Sequence, residues 1–146
     1  MRAQVTFRIV LLSLLVAIFS VVATNARASD QAAVDAATKA ADAWLKLVDD
    51  GQYQQSWEQA CSDFKKVVTI DQWKQELGAV RTTLGPIVSR KLESAQYTTS
   101  LPGAAAGQYV LIRYDTVFKN LSPAVETLSP MLDKDGHWRV DGYYIK

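Results

Sequence analysis

The sequence predicts an α+β domain in which three N-terminal helices pack on a four-stranded antiparallel sheet. Apolar residues repeat at helical spacing as far as Leu84, and from Ile87 onward the apolar period changes from 3.6 residues to 2. Short connections separate the strands, and such connections favour antiparallel neighbours. Helices followed by a strand meander predict a sheet with one face covered by the helices.

The first predicted helix spans residues 30–50. Ser29 or Asp30 can cap its start, because their side-chain oxygens accept from the free backbone N–H groups of the first turn. Gly51 follows the last periodic residue and suits the left-handed position after a helix. The apolar stripe of this helix contains Val34, Ala37, Ala41, Trp44, Leu45 and Val48.

Two shorter helices are predicted over residues 53–64 and 69–84. Thr69 and Gln72 have the spacing of a capping box, in which each side chain bonds the backbone N–H of the other residue. Gly85 followed by proline ends the third helix. Its predicted apolar face contains Ile70, Trp73, Leu77, Val80 and Leu84.

Four strands are predicted over residues 87–99, 108–118, 124–133 and 137–145. The second strand has the clearest alternation, because every second residue from Val110 to Phe118 is apolar, aromatic or threonine. Gly136 suits the positive φ of a tight turn before the last strand. With no linker long enough to separate domains, we expect one core.

Residues 1–28 have the pattern of a secretory signal peptide. Arg2 and Arg8 give a positive start, residues 9–22 form an apolar run, and Ala26-Arg27-Ala28 supplies the small residues of a cleavage site. The apolar run is shorter than the roughly 20 residues of a spanning helix, which disfavours the alternative of an uncleaved anchor. We therefore expect cleavage after Ala28 and a soluble periplasmic domain of residues 29–146 with no stable membrane anchor.

Charge and motifs exclude several function classes. The chain has 16 Lys and Arg and 15 Asp and Glu residues, so the mature domain is mildly acidic once three N-terminal arginines are removed. No basic patch points to nucleic acid. No phosphate-binding glycine loop or nucleophile motif occurs, and one His with one Cys is too few for a zinc site. We therefore predict no cofactor, no metal and no catalytic residue.

Cys61 is the only cysteine of the chain, and His137 is its only histidine. Trp57, Cys61 and Phe64 fall on one helical face, so Cys61 is predicted to be a small buried hydrophobe without a redox role. Pairing of an exported odd cysteine between chains is the alternative. His137 begins a strand after a turn and is predicted to lie at the surface, because no partner is evident that would orient it as a general base.

Several stretches form an extended pattern across the mature chain. They are Trp44-Leu45-x-Leu47-Val48-Asp49-x-Gly51-x-Tyr53-x-x-Ser56-Trp57, Phe64-Lys65 with Val68-Thr69 and Trp73, Arg81-x-x-Leu84-Gly85-x-x-x-Ser89-Arg90, Leu101-Pro102-Gly103, and Asp135-Gly136-x-Trp138-Arg139-Val140-x-Gly142-Tyr143-Tyr144. This pattern resembles a family of bacterial exported proteins, domain-of-unknown-function family 4019. The resemblance implies Gram-negative export and an α+β fold, and it brings no activity or catalytic residue.

The element order also resembles, at the level of fold alone, the cystatin-like and nuclear-transport-factor-two-like cone. In that cone a curved sheet wraps around helices. The resemblance implies two kinds of function, because enzymes on the cone use acid–base residues in its cavity, whereas non-catalytic members bind ligands there or dimerise through the sheet. A fold likeness does not choose between them.

Arg90 and Glu126 are charges on apolar strand faces. Arg90 alternates with Val88 and Leu92 on one face of the first predicted strand, and Glu126 shares one face of the third with Ala124 and Leu128. An inward charge without a partner is costly. Two interpretations stay open: the residues pair with each other or lie at the sheet edge, or they are the polar anchor of a pocket.

Tyr114 and Trp138 complete the candidate ligand site with Arg90 and Glu126, because both aromatics alternate with apolar neighbours on their strands. We expect the concave side of the sheet to bind a small, partly apolar ligand or a side chain of a periplasmic partner. A homodimer is also compatible with the sequence. The predicted function is a non-enzymatic binding or interaction module, and the alternative is a cavity enzyme with acid–base or hydrolytic chemistry.

Overall fold

The computed structural model describes residues 5–146, with side chains from residue 26 onward. Most of the predicted signal peptide, residues 1–28, therefore lies outside the residues described with side chains. The chain forms two compact units, Met1–Ala32 and Ala33–Lys146. None of the helices among the described residues combines the length and the hydrophobicity of a membrane span.

The predicted α+β class and the antiparallel sheet are confirmed. The helices are α1 (Val5–Asp49), α2 (Tyr53–Glu58), α3 (Ser62–Val67) and α4 (Ile70–Leu84). The strands are β1 (Ile87–Thr98), β2 (Tyr109–Phe118), β3 (Ala124–Leu132) and β4 (Trp138–Ile145), and they pair in the order β1-β2-β3-β4. All three pairings are antiparallel, as the short connections require.

The helix prediction was wrong in two places. The first helix begins at Val5 rather than at residue 30, and the predicted helix over residues 53–64 is two helices, α2 and α3. The chain breaks between them because Cys61 has extended backbone and its N–H donates to the carbonyl of Val140 on β4 at 2.9 Å. Contact with the sheet thus prevails over helical spacing, and the described residues contain four helices instead of three.

Helix α4 confirms the predicted boundaries and corrects the predicted face. The capping box of Thr69 and Gln72 is present, and Gly85 ends the helix with φ of 74°. Val80, expected in the core, is 43% exposed, whereas the side chain of Arg81 is buried. The inward stripe of α4 is therefore Trp73, Leu77, Arg81 and Leu84.

One face of the sheet packs against the helices. On β2 the residues predicted to share a face, from Val110 to Phe118 in steps of two, are all buried. Val110, Ile112 and Tyr114 share one core cluster with the buried α1 residues Ala37, Ala41, Trp44, Leu45 and Val48, whereas Phe118 packs in a second cluster with Leu84 of α4 and Ala124. We call this covered side the inner face.

Irregularities in the edge strands decide which residues reach the inner face. In β1, Ile87 pairs with Phe118 and Arg90 pairs with Thr116, with a register shift between them. Val88, predicted on the same face as Arg90, is instead 67% exposed, because the extra residue of a bulge changes the alternation. In β4, a register shift after Val140 brings both Val140 and Tyr143 to the core. Gly142 lies within this shift, and a side chain there would not fit, because its Cβ would lie 2.6 Å from Ser129 Oγ.

Candidate functional site

Arg90 and Glu126 form a buried ion pair between β1 and β3. Arg90 Nε donates to Glu126 Oε2 at 2.6 Å, and Arg90 Nη2 donates to Glu126 Oε1 at 3.1 Å. Glu126 has no exposed surface. The bulge in β1 and the regular alternation of β3 direct both side chains to the inner face, and this two-point geometry is the strong form of an arginine–carboxylate contact.

Asp49, at the end of α1, joins a second arginine to this pair. Arg90 Nη1 donates to Asp49 Oδ2 at 2.7 Å, and Arg81 Nη2 of α4 donates to Asp49 Oδ1 at 2.6 Å. Two guanidinium groups thus face two carboxylates, and their formal charges cancel. This balance permits Arg81 and Glu126 to be buried and Arg90 and Asp49 to be partly buried, since each charge is paired and hydrogen-bonded.

Two hydroxyl groups complete the coordination of Glu126. Thr116 Oγ1 donates to Glu126 Oε2 at 2.6 Å, and the hydroxyl of Tyr143 donates to Glu126 Oε1. Burial and the neighbouring Glu126 carboxylate raise the pKa of Tyr143 well above its ordinary value, so Tyr143 remains a donor. We refer to Asp49, Arg81, Arg90, Thr116, Glu126 and Tyr143 as the ionic cluster.

The charged groups of the ionic cluster bind one another, which limits the chemistry that the cluster can perform. Burial lowers the pKa of Arg90, but its hydrogen bonds to Asp49 and Glu126 outweigh that effect and raise it overall. Arg81 lies over the Phe118 ring at 5.1 Å, and its Nη1 is 4.0 Å from Glu126 Oε1 without a hydrogen-bond partner among the described residues. Both oxygens of Glu126 already accept two bonds each, so this carboxylate is poorly placed to take a proton from a substrate.

Tyr114 lies beside the ionic cluster and has a separate partner. It pairs with Glu126 across β2 and β3, and its hydroxyl donates to Asp42 of α1. Burial, followed by the hydrogen bond to Asp42, raises the pKa of Tyr114. Tyr114 therefore links the sheet to α1 as a neutral donor.

Trp138 lies on the inner face but at the other end of β4. Ile145 pairs with Glu126, and Trp138 precedes Ile145 by seven positions, which corresponds to about 23 Å along a strand. Trp138 lines a groove of about 390 Å³ between α1, α2 and β4. We call it the Trp138 groove, and its other lining residues are Ala40, Ala43, Trp44, Glu58, Gln59, His137, Arg139 and Val140.

Two polar side chains of the Trp138 groove, His137 and Arg139, lie against Asp135 at the protein surface. The His137 side chain is 73% exposed, and its Nδ1 lies 3.4 Å from Asp135. Arg139 donates to both oxygens of Asp135 at 2.6 and 2.8 Å, and this contact holds the pKa of Asp135 well below its usual range. His137 is thus a surface residue, as predicted, although it also lines the groove.

Cys61 is buried, as predicted, but it is not on a helical face. It is the N-cap of α3, where its Sγ accepts from the Phe64 N–H at 3.3 Å and donates to Asp141 Oδ1 at 2.7 Å. Burial and the hydrogen bond to Asp141 raise the pKa of the Cys61 thiol to about 12. The thiol is therefore protonated near neutral pH and is a poor nucleophile.

The structure brings together two of the four predicted site residues, Arg90 and Glu126, with Tyr114 beside them, and it places Trp138 in a different region. Sequence reasoning missed Asp49, Arg81, Thr116 and Tyr143. A signal was present for Arg81, since it follows Leu77 by four residues and precedes Leu84 by three on a helix. No group of three His, Cys, Asp or Glu residues that could hold a metal occurs among the described residues.

The family described as "Protein of unknown function (DUF4019)" matches residues 40–143, more than half of the chain. The chain belongs to this family. The DUF4019 segment begins within α1 and ends at Tyr143, so it contains the whole ionic cluster and every residue that lines the Trp138 groove. No curated protein and no solved structure matches the chain.

Proposed function

We propose that this DUF4019 protein is an exported, non-enzymatic binding module of the bacterial envelope and that the Trp138 groove is its binding site. The signal-peptide pattern of residues 1–28 supports export. The cystatin-like and nuclear-transport-factor-two-like cone stays a prediction, supported by the order of helices and strand meander.

The observation that carries the proposal is the position of Trp138. Its indole is half-buried in an open groove, whereas the carboxylate oxygens of the ionic cluster already accept hydrogen bonds from other protein groups. Ala40 and Ala43 are small and leave room for a ligand against α1, and Glu58 supplies a carboxylate at the rim. An aromatic surface with a few polar groups suits a small, partly apolar molecule or a partner's side chain.

An acid–base enzyme is the second candidate, and His137 is the observation in its favour. His137 lines the same groove and lies near Asp135. However, the distance of 3.4 Å is longer than an orienting hydrogen bond, and Arg139 already occupies both oxygens of Asp135. Binding without catalysis is therefore the better supported function.

The binding proposal is tested by capture from a periplasmic extract, with mass spectrometry of bound proteins and of extracted small molecules. Trp138→Ser should lose what the wild-type protein retains, and Trp138→Phe should keep most of it. Val67→Ser is the matched control, because Val67 is more exposed than Trp138 and does not line the groove. Equal retention by Trp138→Ser and the wild type would exclude the groove.

The fate of the retained molecule distinguishes an enzyme from a binding module. If the wild type converts it and His137→Ala does not, while both bind it equally, then the groove is catalytic. A molecule that is recovered unchanged from both proteins supports the binding module.

Export has its own test. The intact mass of the protein recovered from the periplasm should correspond to a chain that begins at Ser29. A protein that stays in the membrane fraction with residues 1–28 attached would reverse the proposal for localisation.

A further inference from the structure

Strand β4 is an edge strand of the sheet, and the two halves of its outer backbone edge differ in how far other elements cover them. Near its start, the N–H of Cys61 donates to the carbonyl of Val140, and α3 packs against this part. Residues 143–145 receive no backbone hydrogen bond from outside the sheet within the part of the chain that the structure describes. An uncovered strand edge is a template for another strand.

An apolar cleft lies beside the uncovered half. It has a volume of about 250 Å³ and lies between α4 and the end of β4. Its walls are Leu77 and Val80 on one side and Tyr144 and Ile145 on the other, over the buried Trp73. Val80 is 43% exposed and Tyr144 is 57% exposed, so the cleft presents apolar surface next to free backbone groups. We call this region the β4 cleft.

Unpaired charges of opposite sign flank the β4 cleft. Glu76 lines the cleft and forms no ion pair among the described residues. Lys146 follows β4 directly, is exposed and likewise has no ion pair in that part of the chain. The surface therefore offers an acid in the cleft and a base at the end of the adjoining strand.

We propose that the occupant of the β4 cleft is a second copy of this chain. The two β4 strands pair antiparallel about a twofold axis, and Tyr144 of each copy packs against the cleft of the other. Lys146 of one copy then faces Glu76 of the other. A twofold interface requires a surface that is complementary to itself. This surface meets that requirement, because it contains an open strand edge, apolar side chains and charges of both signs.

The dimer is tested by sedimentation velocity of the purified protein over a concentration series. Tyr144→Arg places a charge at the centre of the interface and should raise the dissociation constant at least about 30-fold. Glu76→Lys and Lys146→Glu should each raise it about tenfold, because each brings like charges together. The double variant Glu76→Lys/Lys146→Glu restores opposite charges and should recover most of the wild-type affinity.

Val88→Asp is the matched control, because Val88 is a 67% exposed residue on the other edge strand. It should leave the dimer intact. All substitutions are on exposed positions, and circular dichroism checks that each variant folds. A wild-type protein that stays monomeric up to about 1 mM overturns the proposal, even if a different protein or peptide occupies the cleft. A dimer that tolerates Tyr144→Arg, or a double variant that fails to recover, also overturns it.

Discussion

The ionic cluster and the Trp138 groove lie on the same face of one sheet, yet one is closed and the other is open. In the cluster, α1, α4 and all four strands each bring a group that takes part in another group's hydrogen bonds. At the groove, α1 presents Ala40 and Ala43, Arg139 is held by Asp135 of the nearby turn, and the exposed Glu58 carboxylate accepts from Gln54. The groups supplied by neighbouring elements, more than the residue type on the strand, therefore decide whether a polar position is structural or available.

The largest expected effect comes from breaking the cluster. Glu126→Met leaves Arg81 and Arg90 with one carboxylate between them, and should lower the free energy of unfolding by about 3–5 kcal/mol. The double variant Arg90→Met/Glu126→Met leaves the Asp49–Arg81 pair balanced and should regain most of that loss. Urea denaturation measures both effects. A loss below about 1 kcal/mol in the single variant would show that the cluster is far more hydrated than its burial indicates.

Sequence alone anticipated the sheet and its covered face because alternation, turn residues and capping residues are local signals. It also singled out Arg90 and Glu126 as charges on apolar strand faces, but it left open whether they pair, lie at the sheet edge or anchor a pocket. It did not anticipate Asp49, which has no feature in the sequence that separates it from Asp50 at the end of a helix. The position of Cys61 was missed for a related reason, since its cap depends on Val140 and Asp141, about eighty positions later. Contacts between residues so far apart in the chain do not produce a periodic pattern in the sequence.

A smaller effect is expected from the Tyr143 hydroxyl. Tyr143→Phe keeps the ring against Trp44 and removes one donor to the buried Glu126 carboxylate. The free energy of unfolding should fall by about 1.5–3 kcal/mol, as for a hydrogen bond to a charged group. Tyr144→Phe is the neighbouring control and should change the stability little, because the Tyr144 hydroxyl forms no hydrogen bond among the described residues. Equal effects of the two substitutions would contradict the assignment.

Alkaline pH should separate the Cys61 cap from its serine equivalent. The folded pKa of the thiol is raised from 9.0 to about 12, so its contribution is full below pH 9 and is lost as the pH rises toward 12. Between about pH 7 and pH 10 the wild type should lose about 1 kcal/mol more stability than Cys61→Ser, which retains the cap without ionising. Tyr114 and Tyr143 also destabilise the fold at higher pH, but equally in both proteins. Parallel pH profiles would refute this contribution.

The smallest effect is expected at the groove. His137→Ala and Glu58→Ala remove exposed side chains, and each should change the free energy of unfolding by less than about 0.5 kcal/mol. Thermal denaturation is sufficient to measure this. A large loss at either position would mean that the groove is a structural region like the cluster, and would weaken its assignment as a binding site.

The ionic cluster also has a consequence for the order of folding. The hydrogen bonds between its charged groups join residues that are 32, 41 and 36 positions apart, between Arg81 and Asp49, Arg90 and Asp49, and Arg90 and Glu126. Such contacts require several loops to close first, and a partly assembled cluster would bury a charge without its partner. We therefore expect the cluster to form after the transition state, so that its removal accelerates unfolding and leaves the refolding rate nearly unchanged in stopped-flow measurements. A protein built in this way owes its persistence in the folded state to charges that do little to guide it there.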